Sequence, residues 1–194
     1  MKIFDIDKLN KALRLLDEQL VLRQLPHTEL VVCGGSALIA SHLVSRTTQD
    51  VDVVALMQAG TLVTAEPLPA YLVESVKRVA DILNLPDDWL NNGPASQFSM
   101  GLPTGFAARL RQETIGECLT IYYISRTDQI YFKTFASVDR GGYHIADLKA
   151  LNPDDEELYS AAAWCMEQDV SDAFRFILKE MLTQNGWCHV SDRI

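Results

Sequence analysis

The sequence predicts an α+β fold in which a short mixed sheet flanked by helices is followed by a helical C-terminal region. Three observations carry this. Residues 29–56 run strand, turn, helix, strand; a third β-branched and aromatic run, "CLTIYYIS", lies at 118–125; and from Arg126 onward every apolar pattern has the helical period. The change of period near residue 125 divides the chain into an expected α/β core with its N-terminal helix, residues 1–125, and a helical region, residues 126–194.

At the N-terminus, Ile6, Leu9, Leu13, Leu16 and Leu20 recur at three- and four-residue steps, the spacing of an amphipathic helix that ends before Pro26. "ELVVC" then reads as a short buried strand, "GGSALIASHLV" as a helix opened by a Gly-Gly-Ser turn, and "VDVVAL" as a second strand. "AYLVESVKRVADILNL" is helical through Leu72, Val76, Val79 and Leu83, and "PDDWLNNGPAS" reads as a helical turn and loop broken at Gly93-Pro94. Beyond residue 125 four helical segments follow: "TDQIYFKTFASVDR", "YHIADLKAL", "DDEELYSAAAWCMEQ" and "SDAFRFILKEMLTQN". Asp128, Asp154 and Ser171 lie near their starts, where a side-chain acceptor satisfies free amides.

A chain of 194 residues with 48% hydrophobic content can bury a substantial core. No apolar run approaches the roughly 20 residues that span a bilayer, and the N-terminus carries acids where a signal peptide needs an apolar centre, so a cytoplasmic protein is expected. Cys33, Cys118, Cys165 and Cys188 are widely spaced, which argues for buried free thiols rather than a zinc knuckle or redox pair. His27, His42, His144 and His189 have no companions at ligand spacing. With 26 acids against 17 bases the net charge is −9, which disfavours a nucleic-acid partner without excluding one held in a local basic groove.

Core-building does not explain Asp50 and Asp52, two acids interrupting a β-branched run. On a strand, residues two apart share a face with α-carbons about 7 Å apart, so the two carboxylates can converge while Val51 enters the core. Convergent carboxylates repel unless a cation joins them, and hard oxygen donors favour Mg²⁺ shared with substrate phosphates. Gly34, Gly35 and Ser36 supply the complement: glycines admit close approach of a ligand to the backbone, a helix start offers amides to an anion, and the Ser36 hydroxyl adds a hydrogen bond. Mg²⁺ with an anion such as a triphosphate is the pair of ligands these residues suit, with Asp50 and Asp52 on the metal; taken singly, a Gly-Gly-Ser turn is common between strand and helix and an Asp-x-Asp pair at a strand start is often a cap or a solvated edge.

In order and spacing these residues resemble the signature of the nucleotidyltransferase superfamily with the DNA polymerase β-like fold, in which Gly-Gly/Ser opens a helix and an acid-x-acid pair follows on the next strand. The run "ISRTDQIYFKTFASVDRGGYHIADLKAL" and the "WLNN" turn are similar to segments of small bacterial members, among them an uncharacterised group and AbiEii-type toxins. The resemblance covers most of residues 28–165 and matches Lys133, Arg140 and Asp147 to a lysine, a basic turn and an acid of that group. It implies a polymerase β-like core and Mg²⁺-dependent transfer of a nucleotidyl group to a hydroxyl acceptor. For Lys133 it implies a phosphate ligand, a surface lysine being the alternative. Asp147 is expected to be structural, paired with Arg140 or Arg126, and Arg46 to face solvent, contact with the nucleotide being its alternative. Members of the superfamily usually add a third carboxylate from a later strand. "CLTIYYIS" has none, and Glu117 just before it is the remaining candidate. That departure keeps open a second class, a binding module without turnover such as a toxin–antitoxin partner protein.

Overall fold

The structure, a computed structural model, describes residues 4–194. Contacts within the chain group into two units, 1–124 and 125–194. The first holds a six-stranded mixed sheet with helices and the second is helical throughout.

The first unit begins with α1 (Ile6–Leu22), capped by Asp5, whose carboxylate accepts from the Lys8 amide. Its apolar stripe, Leu9, Leu13, Leu16 and Leu20, is fully buried, as the spacing predicts. β1 (Thr28–Cys33) leads directly into α2 (Gly34–Ala40), and β2 (Val51–Gln58) returns antiparallel to β1. α2 is shorter than the apolar run suggests. His42 adopts a left-handed φ of 54°, and the amides of His42 and Leu43 bond the carbonyls of Ile39 and Leu38, a helix stop usually built on glycine.

The remaining elements of this unit are β3 (Thr61–Thr64), α3 (Ala70–Leu83), β4 (Leu90–Asn91), α4 (Ala95–Met100), β5 (Arg111–Thr114) and β6 (Leu119–Tyr123). The strand order is β3-β2-β1-β6-β5, with β1 and β6 parallel, and β4 lies parallel to the start of β2. Leu90-Asn91 is therefore strand, where the sequence suggested a helical turn. Trp89 beside it is fully buried, donates to the Val76 carbonyl at 3.0 Å and packs its ring on Phe4. One face of the sheet, through Leu30, Val32, Val51, Val53, Ile121 and Tyr123, forms a common core with the apolar faces of α1 and α3.

The second unit comprises α5 (Arg126–Asp139), α6 (Tyr143–Leu151), α7 (Asp155–Gln168), α8 (Asp172–Gln184) and the short α9 (Cys188–Ser191). Asp154 and Ser171 cap α7 and α8, but Ser125 rather than Asp128 caps α5, and its hydroxyl donates to the Asp128 carboxylate. Trp164 and Phe174 are buried, whereas Phe176 is 66% exposed. None of the four cysteines is in a disulfide; Cys33 and Cys165 are buried, Cys118 is half-buried and Cys188 is exposed. Among the described residues no helix is long and apolar enough to cross a membrane.

Candidate functional site

The two aspartates and the glycine turn meet at one end of the sheet. Cys33, the last residue of β1, pairs with Asp52 on β2, so the chain enters α2 beside the Asp52 side chain. Gly34 has φ +68°, and a Cβ built on it would overlap Asp52 Oδ2 and lie 3.3 Å from Asp52 Cγ. Only glycine satisfies both conditions, a left-handed backbone and a carboxylate against it. Gly35 is constrained from the other side, since a Cβ there would fall 2.9 Å from Thr48 Cβ and 3.3 Å from Arg46 Nη2.

The loop between α2 and β2 is fixed at both ends. Thr48 and Phe4 exchange backbone hydrogen bonds of 2.9 Å in an isolated antiparallel bridge, and the Val51 amide donates to the Trp89 carbonyl at 2.7 Å. Between these anchors lies Asp50, half-buried just ahead of β2, while Val51 is buried in the core and Asp52 is half-buried. Arg46 does not simply face solvent: it is half-buried, and its Nη1 donates to the Thr47 carbonyl at 2.9 Å. Ser36 is completely buried and its hydroxyl donates to the Cys33 carbonyl at 3.3 Å, bracing the turn from within.

The strand expected to bring a third acid is not next to the aspartates. β6 pairs with β1, and across the sheet Asp52 is paired with Cys33 and Asn91. Glu117 sits in the β5–β6 turn beside Thr28, at the opposite end of β1 from Gly34. Five residues of strand separate those ends, about 17 Å, so Glu117 does not reach the aspartates. The turn that carries it is held by buried Asp17, which accepts from the Cys118 amide at 2.8 Å. At the aspartate end of β6, burial pushes the Tyr123 phenol well above its ordinary range, with Glu113 adding to the shift and Arg111 opposing it. It stays protonated and cannot serve as a base there.

In the second unit Lys133 and Asp147 form a buried ion pair of 2.8 Å, with the Lys133 ammonium 5.6 Å from the Tyr143 ring centre. The partner found for Asp147 is thus Lys133, not the expected arginines. Arg140 pairs with Asp139 at the surface, while Arg126 bonds Glu157 and the carbonyls of Leu151 and Asn152. No group of three or more His, Cys, Asp or Glu side chains among the described residues is arranged to hold a metal ion. An aspartate pair still fits Mg²⁺, which is normally held by one or two carboxylates completed by phosphate oxygens and water. Thr48 and Asn91 at this end of the sheet leave no local trace in the sequence, because each acts through a partner distant in the chain.

A family model described as a nucleotidyltransferase of unknown function (DUF6036) matches residues 7–151, about three quarters of the chain. The chain belongs to this family. The match takes in every strand of the sheet, the Gly34–Ser36 turn and both aspartates, and runs through α6. Neither a curated protein nor a solved structure matched the chain. Membership of the DUF6036 nucleotidyltransferases places the chain in a nucleotidyltransferase-like family whose function is unknown.

Proposed function

We propose that the protein transfers a nucleotidyl group from a nucleoside triphosphate to a hydroxyl acceptor, with Asp50 and Asp52 as the residues that hold Mg²⁺. The observation that carries this is the Asp52 carboxylate lying directly against Gly34 at the start of α2. In this reading phosphate oxygens meet the turn at Gly34, the partly exposed residue that opens α2, and a cation on the aspartates. When bound, Mg²⁺ would neutralise phosphate charge and polarise the phosphorus centre. The chain's own part is to hold the phosphates: the buried Ser36 hydroxyl keeps the turn closed, and the Phe4–Thr48 bridge keeps the aspartate loop in place. α2 has only seven residues, so close approach rather than a long helix dipole supports anion binding. The assignment of Lys133 to the phosphates, like the kinship with the polymerase β-like superfamily and its AbiEii-type members, rests on motif resemblance.

The test is stabilisation and label transfer together. With Mg²⁺ and ATP or GTP at about 100 times the dissociation constant, wild-type protein gains roughly 2.7 kcal/mol of stability. Asp50→Asn with Asp52→Asn removes most of that gain, with melting of the ligand-free protein as the check on folding. Incubation with each α-labelled nucleoside triphosphate and a cell lysate moves label onto the acceptor. If the double variant unfolds without ligand, or if the shift survives in it, the proposal fails. The second reading, a nucleotide-binding module without turnover, is favoured by the pairing of Asp52 with Cys33 and Asn91, neither of them a carboxylate. It predicts the stability gain without label transfer.

A further inference from the structure

We infer that Asn91 is a substrate-binding residue of the same site, donating a hydrogen bond from its side-chain amide to an oxygen of the bound nucleotide; this rests on the reading of Asp50 and Asp52 as the Mg²⁺–nucleotide site. β4 is only two residues long, yet its parallel pairing sets Leu90 beside Val51 and Asn91 beside Asp52. Leu90 and Val51 are buried in the common core, so alternation places Asn91 and Asp52 together on the other face. Paired positions on adjacent strands are about 5 Å apart, which brings the Asn91 amide within reach of whatever the Asp52 carboxylate binds. The orientation of that amide is set from behind. Its Oδ1 accepts the Gly93 amide at 2.8 Å, and a Cβ on Gly93 would lie 3.0 Å from that oxygen. With Oδ1 so engaged, the NH₂ group keeps two donors, which match the acceptor-only oxygens of a triphosphate. A carboxylate at this position would add a third negative charge beside the aspartates; the amide instead offers donors to an anion.

Asn91→Asp and Asn91→Ser separate this role from a structural one, because both retain an acceptor for the Gly93 amide and neither retains the NH₂ group. Binding of ATP and GTP in the presence of Mg²⁺ is measured by titration calorimetry on wild type and both variants, with melting of the ligand-free proteins as the check on folding. Both variants are expected to bind about tenfold or more weakly, as for loss of one hydrogen bond to a charged oxygen, with melting unchanged. Wild-type affinity in Asn91→Ser overturns the inference while leaving the nucleotide site standing, even if Asn91→Asp binds poorly through charge repulsion. Loss of binding that only tracks loss of melting stability also overturns it. If wild type itself binds no nucleoside triphosphate, the reading of the aspartates falls and the inference with it.

Discussion

Gly34 joins backbone and site chemistry in one residue, and substitution there separates the two. Gly34→Ala must hold a left-handed φ of 68° and place a methyl group where Asp52 Oδ2 lies, whereas Gly60→Ala, at φ 78° with nothing within 4 Å, meets the backbone penalty alone. That penalty is about 1–3 kcal/mol. In urea denaturation Gly34→Ala is expected to lose clearly more stability than Gly60→Ala, and only Gly34→Ala to lose the Mg²⁺–nucleotide shift; equal losses would show that the Asp52 contact has no weight. Gly34, Asp50 and Asp52 were legible in the sequence because each breaks a local rule, glycine at a helix start or acid in a β-branched run. Asn91 and Thr48 break no local rule. What they do depends on pairing with Asp52 across β2 and with Phe4 some forty residues earlier, and neither pairing leaves a local trace.

Among the elements, the long amphipathic helices were legible because their buried stripes repeat over several turns. β3 and β5 were not: each has four residues, largely exposed at the edges of the sheet, so no alternation of apolar residues marks them. β4 exists only through its pairing with β2. At the junction of α5, α6 and α7, Arg126 donates to the Glu157 carboxylate and to the last carbonyls of α6, while Glu157 also accepts the Asp154 amide in a capping box. The hydrogen bond from Arg126, opposed by desolvation and aided by the Asp154 amide, lowers the Glu157 carboxyl below its ordinary range. A depressed carboxyl contributes stability above its unfolded-state titration, and that contribution is lost as pH falls through the folded-state one. Glu157→Gln keeps an acceptor for the cap but removes the charge, so it is expected to cost up to about 1 kcal/mol at neutral pH for this half-exposed pair. The gap to wild type closes in acid. Urea midpoints across pH measure it, and a gap that persists below the carboxylate range would assign the loss to geometry instead.

For the whole molecule, the sequence conveyed the mixed sheet followed by helices but not the order of its strands. Three strands are legible, and the third is the one from which the superfamily resemblance would draw a further acid; in the structure β6 lies beyond β1, so the neighbours of β2 are β1, β3 and β4. The cause is that strand order is decided by pairings between distant segments, whereas periodicity reports only on each segment's own exposure. The composition-based expectation about charge acts at this scale too. A net charge of −9 disfavours polyanions, while one triphosphate can be received by a local arrangement of amides and a cation.

The parallel pairing of β1 with β6 also sets an order of assembly. Its partners are about 90 residues apart in the chain, whereas those of β1 and β2 are about 20–26 apart. Closing the longer loop costs about 1.3 kcal/mol more in chain entropy, so β1, α2 and β2 are expected to come together in the folding transition state before β6 docks. Stopped-flow φ-values should then be high for Val53→Ala and near zero for Ile121→Val; the reverse would place the nucleus in the outer half of the sheet. The segment that carries Gly34 and Asp52 would thus belong to the folding nucleus. Substitutions that loosen it should slow folding itself, whereas those in β6 should mainly hasten unfolding.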